Sequence, residues 1–153
     1  MIDKKDKLIM DILQYDGRIS LTDLSKKINL SIDSTHKRLK KLIKQEIIFP
    51  TILIDPRKVG YPLIVDVKIK LKDIDEEKYK KLTTHLTKHP NVLSLFAVSG
   101  DYDLTAPIMA KDYNHLNKIS LEIRGKFKDI IADWKSGFNT TVFKYEKLDF
   151  TKL

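Results

Sequence analysis

Residues 31–44 read SIDSTHKRLKKLIK. After Asp33 the stretch carries Lys37, Arg38, Lys40, Lys41 and Lys44 and no carboxylate, yet Ile32, Thr35, Leu39, Leu42 and Ile43 recur through it at helical spacing. At about 100° per residue the five semi-apolar positions fall within roughly 100° of arc. Lys37, Lys41 and Lys44 lie near the opposite direction, close to Asp33 and Ser34, and His36 and Arg38 flank the stripe. The spacing predicts a helix seated by its apolar side, with a cationic face left for phosphates and bases.

Working outward, the residues before it predict two more short helices. Asp3 caps the first, with Asp6 near its positive end, and Ile9, Ile12 and Leu13 repeat at helical spacing beside Leu8. Asp16-Gly17 ends it. Ser20 caps the second, Asp23 sits at the capping-box position, and Leu21, Leu24 and Ile28 form the inner face. Asn29 suits a left-handed turn residue and Ser31 caps the third helix. A turn of about three residues between the second and third helices matches a helix-turn-helix unit, whose second helix lies in the DNA major groove.

Residues 47–61, IIFPTILIDPRKVGY, read as a connector strand followed by a turn. Pro50 confines the strand to an edge or linking role, Asp55-Pro56 opens the turn and Gly60 closes it. The rhythm then changes. Leu63, Val65, Val67, Ile69 and Leu71 alternate with Asp66, Lys68 and Lys70, as in a strand with one buried face. Asp75 caps a helix with Tyr79, Leu82 and Leu86 inward, and Pro90 stops it. NVLSLFAVS and YDLTAPIMA read as two strands joined through Ser99-Gly100-Asp101. Asp112 caps a helix with Leu116, Ile119 and Ile123 inward, and a last strand is expected within 129–146, around FNTTVFKY. The order is βαββαβ, a ferredoxin-like arrangement, so the fold class is α+β. The expected domains are 1–46 (helix-turn-helix, winged-helix-like), 47–60 (connector) and 61–153 (ferredoxin-like, for dimerisation and an effector).

Composition narrows the function. The formal net charge of +8 favours an anionic partner. It is uneven: residues 1–60 hold 13 cations and 8 acids, or +5, and residues 61–153 hold 16 and 13, or +3. The absence of cysteine excludes disulfides, thiolate nucleophiles and Cys-ligated zinc. No apolar run approaches the roughly 20 residues of a membrane span, and the N-terminal residues lack a signal-peptide stretch, so a cytoplasmic protein away from membranes is expected.

Four stretches, IDKKDKLIMDILQYDGRISLTDLSKKINLS, LSIDSTHKRLKKL, IDPRKVGY and SGDYDL, resemble in order the opening helices, recognition helix, connector and glycine-aspartate loop of the Lrp/AsnC family, the leucine-responsive (feast/famine) transcription regulators. The resemblance covers nearly the whole chain. It implies a sequence-specific regulator that binds double-stranded DNA at a roughly palindromic site. It implies a homodimer that builds tetramers or octamers, and an amino-acid or other small effector held near the loop. That loop is here Gly100, Asp101, Tyr102 and Asp103. Two departures stand out: Glu46 occupies a position that is usually Gly in the family, and the tail matches the last strand loosely.

The DNA-facing candidates are Ser31, Asp33, Ser34, His36, Lys37, Arg38, Lys40, Lys41 and Lys44. Lys37, Lys40, Lys41 and Lys44 suit phosphates. Asp33, Ser34, Lys37 and Arg38 suit base edges, and the forked Arg38 suits guanine, with a phosphate contact as its alternative. In the loop, Asp101 or Asp103 can accept from a ligand ammonium, Gly100 allows close approach, and Asp103 can equally cap local backbone.

Three other readings stand beside this one. Relatives of the same architecture, the siroheme decarboxylases, are enzymes; His115, Arg124 and Tyr113 are the residues that chemistry would draw on. His85 and His89 are four apart, as in a metal site, but lack an acidic third ligand at persuasive spacing. The C-terminal unit can also serve assembly alone, through exposed strands. No catalytic residue, metal or cofactor is expected, and the unique Trp134 suits core or interface.

Overall fold

The computed structural model describes residues 2–144 and 147–152. The chain divides into two compact units, Met1–Leu53 with Phe143–Leu153, and Ile54–Val142.

In the first unit three helices follow their caps. Helix α1 spans Lys4–Tyr15 behind a full Asp3/Asp6 capping box. Helix α2 (Leu21–Ile28) is capped by Ser20 and ends on Asn29 in the left-handed region. Helix α3 (Ile32–Lys44) is capped by Ser31. Ile9, Met10, Leu24, Ile28 and Leu42 form the core, edged by Ile12, Leu13, Leu39 and Phe150.

Past α3, Glu46 takes φ 55. Its N–H bonds Ile43 O at 2.9 Å and the Ile47 N–H bonds Leu42 O at 3.0 Å, the paired closure of a Schellman turn. The turn therefore keeps its glycine-like shape with a side chain in a strained conformation. Glu46→Gly should relieve about 1 kcal/mol and raise the melting temperature of this unit by about 4–8 °C. An unchanged or lowered melting point in a thermal scan would contradict the strain.

The strand expected over the connector is not found among the described residues. Residues 47–55 are irregular, and a single turn of 3₁₀ helix, Pro56–Val59, follows between Asp55 and Gly60. Pro50 supplies no amide donor, and no described strand runs beside the segment to pair with it. Phe49, Ile52, Leu53 and Ile54 consequently stay exposed.

The second unit is βαββαβ: β1 Leu63–Leu71, α4 Glu76–Lys88, β2 Phe96–Ala97, β3 Leu104–Ala110, α5 Tyr113–Lys126 and β4 Ile131–Phe138. The sheet order is β2-β3-β1-β4, with antiparallel neighbours throughout. Val65, Val67, Ile69 and Leu71 pack with Leu82 and Leu86 of α4 and Leu116, Ile119 and Ile123 of α5. Both helices therefore cover one face of the sheet.

Two strands differ from their expected limits. Most of NVLSLFAVS does not pair continuously: outside β2 there is an isolated bridge, Val92↔Ile108. The opposing Pro107 accepts from the Leu93 N–H but has no N–H to return, so the ladder is interrupted there. The last strand lies mostly before FNTTVFKY, since Trp134 faces Ile69 and Phe138 faces Val65. Tyr145 of that stretch is outside the described residues.

His85 sits between α4 and α5. Its ring centroid is 5.2 Å from that of Phe127, its Nδ1 is 3.2 Å from Lys126 Nζ, and its Nε2 is buried without a partner among the described residues. Burial first, then the Lys126 charge, lowers its pKa below the usual 6.5. The native state favours the neutral ring, whereas the unfolded chain takes up a proton below about 6.5. This contribution to stability is thus complete above 6.5 and declines as pH falls toward the lowered native pKa. Denaturant midpoints of this unit should fall between pH 7 and 5, and His85→Leu should flatten that dependence; equal slopes would contradict it.

Candidate nucleic-acid interface

The inner side of α3 is narrower than its sequence suggests. Thr35 and Leu42 are buried and Leu39 is half-buried, but Ile32 and Ile43 are 47% and 38% exposed. Those two sit on the same flank of the stripe, beyond the reach of α1 and α2. Thr35 tolerates burial because its hydroxyl donates to Ser31 O at 2.9 Å.

On the outer side Lys37, Lys40, Lys41 and Lys44 are all exposed and make no ion pair among the described residues. His36, Asp33 and Ser34 are exposed near the start of the helix. Ser31 Oγ accepts the Ser34 N–H at 3.2 Å and donates to Ser34 Oγ at 2.9 Å, so Ser31 is spent on the cap.

Arg38, expected to reach a guanine or a phosphate, is ion-paired within its own unit. Its Nη1 donates to Asp3 Oδ2 at 2.6 Å and to Asp6 Oδ1 at 2.8 Å. The fork is drawn back onto α1 because two carboxylates of the α1 capping box lie within reach of the flank it occupies. The Asp3 pKa is lowered, most by the Asp6 N–H and next by Arg38, and Arg38 is held more firmly protonated, chiefly by Asp6. In the sequence Asp3 and Asp6 carry only a capping signal, since nothing local links them to a residue more than thirty positions away.

The residues of the glycine-aspartate loop have separate partners. Gly100 has φ 124, a conformation that side chains resist. Asp103 Oδ2 accepts the Leu71 N–H at 2.6 Å, and the Asp103 N–H donates to Ile69 O at 3.0 Å, so this carboxylate ties β3 to the end of β1. Tyr102 donates its hydroxyl proton to Asp133 Oδ2 at 2.9 Å, a bond that raises its pKa. Asp101 is exposed and makes no side-chain hydrogen bond among the described residues.

The remaining candidates do not converge. Tyr113 and Arg124 stand eleven residues apart on α5, about 16 Å along its axis. Tyr113 meets Phe138 edge to face, and His115 Nδ1 accepts the Lys111 N–H. Among the described residues no group of three metal-ligating side chains occurs, and His85 faces an ammonium, which repels a cation. Trp134 packs against the second core. No described helix is long and apolar enough to cross a membrane.

Comparison with known proteins agrees with this division. The winged helix-turn-helix DNA-binding family model matches residues 2–48, and the Lrp/AsnC ligand binding domain model matches residues 64–129. The transcriptional regulator FL11 of Pyrococcus horikoshii is 33% identical over 117 residues, 76% of each chain. The DNA-binding transcriptional activator DecR of Escherichia coli is 30% identical over 146 residues, 95% of each chain. Among solved structures, a transcriptional regulator of Neisseria meningitidis in complex with L-methionine superposes with a TM-score of 0.89 at 25% identity, covering 97% of this chain and 96% of that one. The two family models and the named relatives together identify a transcription regulator of the helix-turn-helix class. Within that class, the chain belongs to the Lrp/AsnC family.

Proposed function

We propose that the protein binds a roughly palindromic duplex as a homodimer or a larger even-numbered assembly, with α3 of each protomer in the major groove. The observation that carries this is the set of four exposed lysines, without an ion pair among the described residues, on the side of α3 opposite Thr35 and Leu42. Lys37, Lys40, Lys41 and Lys44 neutralise phosphates, and Asp33, Ser34 and His36 lie toward the base edges. Two-fold symmetry presents two such helices, which calls for two half-sites. Selection of bound sequences from a random duplex pool should enrich a palindrome; recovery of unselected sequence would refute the reading.

The second unit is proposed to take an α-amino acid at the loop after β2, in keeping with the L-methionine complex of the Neisseria relative. Asp101 is the loop carboxylate left to receive the ammonium, since Asp103 is committed to Leu71. L-methionine should raise the melting temperature of the parent and not that of Asp101→Asn. No shift with any amino acid would leave this unit to assembly alone.

A further inference from the structure

We propose that Arg38 is a positioning residue: the Asp3–Asp6–Arg38 cluster sets how α3 is presented to DNA, and Arg38 itself does not touch the duplex. This deepens the reading of α3 as the DNA-facing helix and rests on it.

The geometry is asymmetric in an informative way. Asp6 is 2% exposed, so its carboxylate is buried within the three-helix unit. A buried carboxylate must be paired, and its partner comes from the middle of α3 at 2.8 Å. The same Nη1 reaches Asp3 at 2.6 Å. Asp3 in turn accepts the Lys5 and Asp6 N–H groups through Oδ1, and its own N–H donates to Asp6 Oδ2. The first turn of α1 and one residue of α3 are thus locked into a single network. One cation shared by two carboxylates has little attraction left for a phosphate. The four lysines remain as exposed cations of the helix with no ion pair among the described residues.

Contact and positioning predict opposite signs for one substitution. If Arg38 reads DNA, Asp6→Asn releases its fork and removes a negative charge, so binding tightens. If Arg38 positions α3, Asp6→Asn loosens the helix and binding weakens, although the altered residue is buried. The experiment measures duplex affinity across a salt series for the full-length parent, Asp6→Asn, Arg38→Met and the double variant, well below their melting temperatures. We expect each variant to bind about tenfold more weakly, with the double no worse than the singles, because one shared network is lost in all three. We also expect the parental salt slope to persist throughout.

A slope reduced by about 0.9 in Arg38→Met places Arg38 on a phosphate and overturns the proposal. Tighter binding by Asp6→Asn, or unchanged affinities, does the same. The double variant leaves no lone buried charge, so it carries the test should a single variant fail to fold. A variant with Lys37, Lys40, Lys41 and Lys44 all replaced by alanine is run alongside: a parental slope there fells the DNA-facing reading of α3 itself, whereas a slope reduced by Arg38→Met fells only the positioning role.

Discussion

Lys37→Ala combined with Lys41→Ala will weaken binding to every duplex and make its salt dependence shallower. Both ammonium groups are exposed on the outer side of α3, with no carboxylate partner among the described residues. Each phosphate they neutralise releases a condensed counterion, so losing two contacts should reduce the slope of log K against log salt by about 2. At low salt the affinity should fall by about tenfold or more, similarly for specific and random duplexes, because phosphate contacts carry no base information. Neither residue contributes to the core, so the melting temperature should move little. Titration of a labelled duplex at four salt concentrations is sufficient. A double variant with the parental slope would remove Lys37 and Lys41 from the interface, and a loss confined to one sequence would make them base readers.

Phe150→Ala will destabilise the helix-turn-helix unit, although the residue lies near the far end of the chain. Phe150 packs against the core that contains Ile9, Met10 and Leu42. Its N–H donates to Asp11 Oδ1 at 2.9 Å. Two residues earlier, Leu148 exchanges two bonds with the Gln14 amide at 2.9 and 2.8 Å, and Lys147 Nζ stands 4.3 Å from the Tyr15 ring centroid. The segment therefore belongs to the outer surface of α1. Removing a half-buried phenyl ring should cost about 2 kcal/mol. That corresponds to about a 30-fold loss of amide-exchange protection across α1 to α3 where exchange follows unfolding of the unit. Trp134, the unique tryptophan, lies in the other unit and provides an internal control: its fluorescence melt should stay at the parental midpoint. Undiminished protection in α1 would show the tail to be dispensable.

The two predictions differ in how far the sequence alone could reach. The outward placement of Lys37 and Lys41 is legible because helical periodicity and the Ser31 cap are local signals, readable within the helix itself. So were the Asp3, Ser20, Asp75 and Asp112 caps, the left-handed Asn29, and the alternation of β1 against the 3.6-residue rhythm of α4 and α5. Glu46 stands where the family usually has glycine, and its φ of 55 is the left-handed conformation that glycine favours. The last strand lies within 129–146 as expected but mostly ahead of FNTTVFKY, because β4 is an edge strand. Much of its length is exposed, so Ala132, Asp133, Lys135 and Gly137 carry little alternation. Its limits come from pairing with β1. The break between β2 and β3 depends likewise on Pro107 opposing Leu93 across the sheet.

What the sequence by itself determined is the order and kind of the elements, three capped helices and then βαββαβ, together with the sign of the charge on α3. Backbone preferences and hydrophobic spacing act between near neighbours, so they are written locally. Only the tertiary structure decided that Arg38 turns inward to Asp3 and Asp6, that Asp103 ties β3 to β1, and that Phe150 completes the first core. Each of these joins residues at least thirty positions apart. Charge pairing, hydrogen bonding and burial act through distance in space, which the spacing of residues along the chain does not encode.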